Sequence, residues 1–265
     1  MALEPLLVIE LLLIGSCTGF LAGLLGIGGG MVMVPFVSLI LDARGFPADT
    51  TIKIAVATSL ATICFTSMSS VYAHNKRGAV IWPVVRVLAP GIVFGSIIGA
   101  QITASLPGKT LGIVFASFVA FSATQMLLDR KPKPSRTLPG RAATFGVGSL
   151  IGVISALVGA GGAFISVPFM TWCNIKIHNA VATSAALGFP VALAGTLGYI
   201  WAGQDLQPMP GTVGYLYLPG VVVISLASVL TAPLGARTAH RMDIRPLKKV
   251  FAIVLYLLAL YFVLR

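Results

Sequence analysis

Two clusters of glycine stand in stretches where an unbroken apolar helix would otherwise form. Gly23 to Phe36 reads GLLGIGGGMVMVPF and Ala156 to Phe169 reads ALVGAGGAFISVPF. Leu24, Gly26, Gly28, Gly29, Val34, Pro35 and Phe36 recur as Leu157, Gly159, Gly161, Gly162, Val167, Pro168 and Phe169. Glycine costs a helix about 1 kcal/mol relative to alanine, so such clusters need another use. They can turn the backbone where side chains would clash, let helices approach closely, or bare amide groups to an anion at a helix N-terminus. A dinucleotide loop does not fit, because Met31 stands where the third glycine of GxGxxG belongs and no βαβ pattern surrounds it.

Each cluster is followed by a short apolar arm that ends near Leu41 or Cys173. An arm of about eleven residues spans roughly 16 Å, about half of a hydrocarbon core, so its start lies near the midplane. Unpaired amides at that depth must be buried in protein or line a cavity. Two helix N-termini aimed at a common centre there would make an anion site. The candidate contacts are Gly28, Gly29, Gly30 and Met31 from the first cluster and Gly161, Gly162, Ala163 and Phe164 from the second. Thr58, Ser59, Thr183 and Ser184 lie about seven residues into the following helices and offer hydroxyl donors at a similar depth; the other use of each is an i to i−4 backbone bond. Pro35 and Pro168 either kink the arms or mark where they start.

The elements that must position these groups are membrane helices. Of 265 residues 57% are hydrophobic and 9% charged, far below the roughly 25% charged of soluble domains. Apolar spans run Leu6 to Leu41, Ile52 to Tyr72, Val80 to Ala104 and Thr110 to Leu128, then Ala142 to Cys173, Asn179 to Trp201, Val213 to Ala236 and Pro246 to Leu264. AVATS at Ala55 to Ser59 recurs at Ala180 to Ser184, and Pro90-Gly91 recurs as Pro219-Gly220. The organisation is therefore a first transmembrane repeat at 1–128, a basic, proline-rich cytoplasmic linker at 129–141, and a second repeat at 142–265. The first span of each half is too long for one crossing and must break at its glycines.

Charge sets the orientation. If each broken span returns to its starting side or crosses twice, every lysine and arginine except Arg44, Lys53, Lys109 and Arg265 falls on the cytoplasmic side. Each half then has an odd number of segments and the halves are inverted. The expected fold is an all-α polytopic membrane protein, an inverted repeat of two homologous halves, each a glycine-broken helical hairpin plus three transmembrane helices. The net charge of +11 is thus topological, and its residues sit in short loops rather than on a nucleic-acid-binding face. The partner is the lipid bilayer. Cys17, Cys64 and Cys173 carry no metal or redox spacing and read as small buried hydrophobes. No cofactor signature is present, and no Ser/His/Asp set, HExxH pair or carboxylate cluster points to an enzyme.

Other groups have structural uses in view. Gly91, Gly95 and Gly99 form a packing ridge, with Gly19 and Gly23, and Gly148 and Gly152, repeating the spacing; these ridges also admit a homodimer. Lys53 and His178 hold equivalent positions before the AVATS helices, as attractors at the two mouths or, with greater weight, as interfacial anchors. Gln101 and Gln125 are amides that tie helices together.

The paired G-x-G-G-[GA]-x-[ILVM]-x-V-P-x segments, each followed about 20 residues later by AxATS, resemble the sulfite exporter TauE/SafE family, also called the toluenesulfonate uptake permease family. The resemblance covers almost the whole chain. It implies a bacterial or archaeal inner-membrane carrier of sulfite, organosulfonates or related small inorganic or organic anions, with the family's motif on Gly26 to Pro35 and Gly159 to Pro168. Ala163 replaces Gly30 in the second copy, which makes the two sides unequal. With no carboxylate clearly at mid-membrane, the anion itself carries the charge, and a proton can travel on a protonated species such as bisulfite. An anion-selective channel using the same turns as a filter is the alternative, as is a carrier of a non-sulfur organic anion.

Overall fold

The computed structural model describes residues 4–25, 29–128, 135–207, 209–239 and 245–264. They form ten helices and one small hairpin: α1 Pro5–Leu25, α2 Gly30–Ala43, α3 Ala48–Asn75, α4 Trp82–Ser105, α5 Gly108–Leu128, α6 Arg141–Val158, α7 Ala163–Trp172, α8 Ile177–Ala202, β1 Thr212–Val213, β2 Leu216–Tyr217, α9 Leu218–Ala239 and α10 Arg245–Leu264. Seven of the helices are long and apolar enough to cross a bilayer, and large hydrophobics such as Leu13, Phe94, Leu150, Leu230 and Leu257 face outward, as a lipid solvent requires.

The long first spans break where the glycines stand. α1 has 21 residues and α2 has 14, lengths of roughly 31 and 21 Å; α6 has 18 and α7 has 10, roughly 27 and 15 Å. The second helix of each pair returns toward the face where the first began. Arg44, just past α2, pairs with Glu4 just before α1 at 3.0 Å. The amides of Ser135 and Arg136, before α6, donate to the Trp172 carbonyl at the end of α7, and the Arg136 guanidinium lies 4.8 Å from the Trp172 ring centroid. Pro35 and Pro168 both lie inside their helices, so neither marks a helix start.

At the centre, α3 and α8 are the most buried of the spans. They cross antiparallel, Gly188 facing Ser67 and Gly195 facing Leu60. Small residues let the helices flanking them approach. α4 runs parallel to α6: a Cβ at Gly91 or Gly95 would collide with the carbonyl oxygens of Phe145 and Ser149, and one at Gly152 with that of Ile92. α1 runs parallel to α9, Gly15 resting on Ile224 and Ala227 and Gly19 on Ser228 and Thr231, and Ser228 Oγ donates to the Gly15 carbonyl at 2.9 Å. α5 and α10 are antiparallel, with Phe115 against Phe262 and Thr124 Oγ1 2.6 Å from the Tyr256 hydroxyl. Gly15, Gly19, Gly91, Gly95, Gly99, Gly148 and Gly152 are thus packed against other helices of the same chain.

Four side chains, Lys53, His178, Cys17 and Gln125, sit elsewhere than the sequence suggests. Lys53 and His178 fall inside α3 and α8 rather than ahead of them. Lys53 is 5% exposed, pairs with Asp49 at 3.3 Å and donates to the Ala104 carbonyl at 3.1 Å, so it is a buried link between α3 and the end of α4 and not a snorkelling anchor. Cys17 is exposed, Cys64 half-buried and Cys173 buried. Gln101 does tie helices, its Nε2 donating to the Gly198 carbonyl at 3.2 Å, whereas Gln125 faces outward.

Candidate anion site at the glycine turns

The second glycine cluster makes two left-handed turns within four residues. Gly159 ends α6 at φ 67° and Gly162 caps α7 at φ 76°, conformations that only glycine adopts without strain. Side chains are also excluded by neighbours, since a Cβ at Gly159 would stand 2.9 Å from Val34 Cγ2 and one at Gly162 would stand 3.1 Å from both Ile151 Cγ2 and Ser155 Oγ.

The turn leaves polar groups without partners. The Gly162 carbonyl accepts from Ile165 and Ser166, and the Ala160 amide donates back to Ser155. Among the described residues, the amides of Gly161, Gly162, Ala163 and Phe164 donate to no acceptor, as the first turn of any helix leaves them. All four residues are buried. Beside them Ser155 Oγ is equally buried, with its residue 2% exposed, and has no hydrogen-bond partner. A buried hydroxyl with no partner costs about 1–3 kcal/mol. Four amide donors at the positive end of a helix, with a hydroxyl able to donate, are complementary to an oxyanion.

The first cluster is built differently. Gly28 lies outside the described residues. Gly29 caps α2 with φ −36°, and a Cβ there would run into the Thr18 carbonyl. Gly30 is closed off more tightly, because its Cβ would collide with the Gly159 carbonyl oxygen and stand 2.9 Å from Ser59 Oγ. The two motifs therefore meet backbone to backbone, Gly30 against Gly159. Met31 is 2% exposed. Thr18, which faces Gly29, already donates its hydroxyl to the Ile14 carbonyl at 2.7 Å.

Each of the four predicted hydroxyls is engaged across elements, and Ser59 directly touches the turns. Ser59 Oγ donates to the Gly159 carbonyl at 2.8 Å, fastening the second turn to α3. Ser184 Oγ lies 2.6 Å from Ser166 Oγ, joining α8 to α7. Thr58 Oγ1 accepts from the Tyr217 amide at 3.1 Å, at the start of α9, and Thr183 Oγ1 accepts from the Ile81 amide at 3.0 Å, at the start of α4. Their oxygens satisfy amides at helix beginnings that would otherwise be orphaned. Ser155 escaped the sequence reading because its counterpart in the first half is Ala22, so comparing the repeats conceals it.

A multi-pass helical membrane protein with a buried, donor-rich turn belongs among transporters, and the similarities agree. The sequence profile of the family described as Sulfite exporter TauE/SafE matches residues 11–262; the chain belongs to that family. It is 36% identical to a "Probable membrane transporter protein" of Haemophilus influenzae over 94% of this chain and 95% of that one. It is 26% identical to one of Methanocaldococcus jannaschii over 98% and 97% of the two chains, and 28% identical to "Probable membrane transporter protein YdhB" of Bacillus subtilis over 88% and 90%.

Proposed function

We propose that this transporter moves a small sulfur-containing oxyanion, sulfite or an organosulfonate, by alternating access around a site at the N-terminus of α7. The observation that carries the reading is the unpartnered, buried Ser155 Oγ beside the four free amides of Gly161 to Phe164. A tetrahedral or pyramidal anion presents several oxygens at once and would satisfy donors that the protein leaves unmet. Gly29 to Met31 would form the facing wall, and Thr58, Ser59, Thr183 and Ser184 would hold the surrounding helices in place and lend hydroxyls as the two sides separate.

The moving parts are two homologous halves, 1–128 and 142–265, joined by the linker 129–141 and inverted with respect to each other. Support comes from the packing exchange: the first helix of each half lies parallel to the fourth helix of the other, α1 on α9 and α6 on α4, while α3 and α8, and α5 and α10, meet antiparallel. Such an arrangement follows if the halves are related by a two-fold axis in the membrane plane. Rocking about α3 and α8 would separate Gly30 from Gly159 on one side and bring the turn to the opposite leaflet.

The test is labelled sulfite flux in proteoliposomes, with saturation and counterflow to distinguish a carrier from a channel. Ser155→Ala should lower kcat/KM for sulfite about tenfold or more, as loss of one hydrogen bond to a charged group does, while leaving stability without the anion unchanged or slightly raised. Wild-type flux from Ser155→Ala would overturn the assignment of the anion to this turn.

A further inference from the structure

Away from the glycine turns, α4 and α6 enclose a groove of about 510 Å³ lined by Arg86, Val87, Pro90, Arg141, Ala142 and Phe145. We infer that this groove holds an anionic phospholipid, its phosphate between Arg86 and Arg141 and an acyl chain along Val87, Pro90 and Phe145. The observations are three. First, Arg86 and Arg141 are both exposed, and neither makes a hydrogen bond or ion pair among the described residues. Second, Arg141 and Ala142 open α6, capped by Gly140, and the amides of Arg141, Ala142 and Ala143 have no acceptor among the described residues. A helix N-terminus of this kind adds partial positive charge to the two guanidiniums. Third, the floor of the groove is apolar and outward-facing. Val87 is 37%, Phe94 53% and Phe145 41% exposed, and the Phe94 and Phe145 rings sit 5.8 Å apart just below the arginines.

Depth decides between a lipid and a dissolved anion. Trp82, 43% exposed and hydrogen-bonded to Asn75, begins α4, and exposed tryptophan marks the membrane-water boundary. Arg86 follows one helical turn deeper, at about the level of lipid phosphates. Beyond it the groove continues over aromatic rings that a free phosphate would not touch and an acyl chain would. A zwitterionic headgroup would also bring an ammonium toward two uncompensated cations, so the net-negative lipid is selected.

Purified transporter should retain phosphatidylglycerol in native mass spectrometry and gain thermal stability when it is added to detergent, with phosphatidylcholine and glycerol phosphate giving much less of either. The double variant Arg86→Gln/Arg141→Gln should lose at least a tenfold preference for phosphatidylglycerol over phosphatidylcholine while keeping the lipid-free melting temperature. Lys76→Gln, an exposed lysine outside the groove, should retain the preference. An undiminished preference in the double variant, or equal stabilisation by glycerol phosphate, would overturn the proposal.

Discussion

Two glycines of the repeated motif, Gly30 and Gly161, stand in different surroundings. At the first, Gly30 abuts the Gly159 carbonyl and Ser59, and the facing Thr18 hydroxyl is satisfied within its own helix. At the second, Gly161 has only Ile63 Cγ2, 3.6 Å from where a Cβ would stand, and Ser155 has no partner. The same residue type thus does two jobs. Glycine at position 30 is a packing requirement that lets two backbones touch, whereas a Cβ at position 161 would meet one ordinary contact beside amides that have no acceptor among the described residues. Sequence similarity between repeats identifies where a chain bends, while the surroundings decide which bend can receive a guest.

Substitutions can break this contrast at different strengths. The largest effect is expected from Gly161→Leu, whose side chain would fill the space before the amides: sulfite flux should fall below one hundredth of the wild-type value, while membrane insertion, checked by yield in the membrane fraction, persists. Gly30→Ala should act on folding instead, since its methyl collides with the Gly159 carbonyl; about 1–3 kcal/mol of stability should be lost, as in overpacked cores, measured by thermal unfolding in detergent. Ser59→Ala removes the hydrogen bond that fastens the second turn to α3 and should cost about 1 kcal/mol, with a moderate fall in flux. The smallest structural effect belongs to Gly161→Ala. Its φ is not left-handed and its methyl meets only one ordinary contact, so stability should stay within about 0.5 kcal/mol while sulfite affinity drops. If Gly30→Ala and Gly161→Ala proved alike in both assays, the contrast between the turns would be lost.

Much of this is legible in the sequence. Glycine's poor helix propensity located both breaks: α1 stops at Leu25 and α2 starts at Gly30, and α6 stops at Val158 and α7 starts at Ala163. The GxxxG spacings marked the close crossings of α4 with α6, because only a bare Cα admits a neighbouring carbonyl. Partner choice was not legible. Nothing local says that Thr58 meets the Tyr217 amide 159 residues away, since the pairing depends on how the halves interlock. Lys53 reads from sequence as preceding its helix, yet α3 begins at Ala48, with Pro47 as its cap and Asp49 in its first turn, where a carboxylate complements the helix dipole. Hydropathy puts Val213 to Tyr217 in the span Val213 to Ala236, yet Thr212–Val213 pairs with Leu216–Tyr217 as a hairpin, a turn that Gly211 and Gly214, both at positive φ, signal.

The cross-half pairing of α1 with α9 bears on how the protein is made. The Gly15 carbonyl receives its hydrogen bond from Ser228, 213 residues downstream. At synthesis rates of about 5–20 residues per second, the opening helix waits roughly ten to forty seconds in the bilayer before its permanent neighbour emerges from the ribosome. During that interval its small-residue face is an unfilled socket, open to insertion factors or to the wrong helix, and any nascent chain halted before α9 is left with that socket empty.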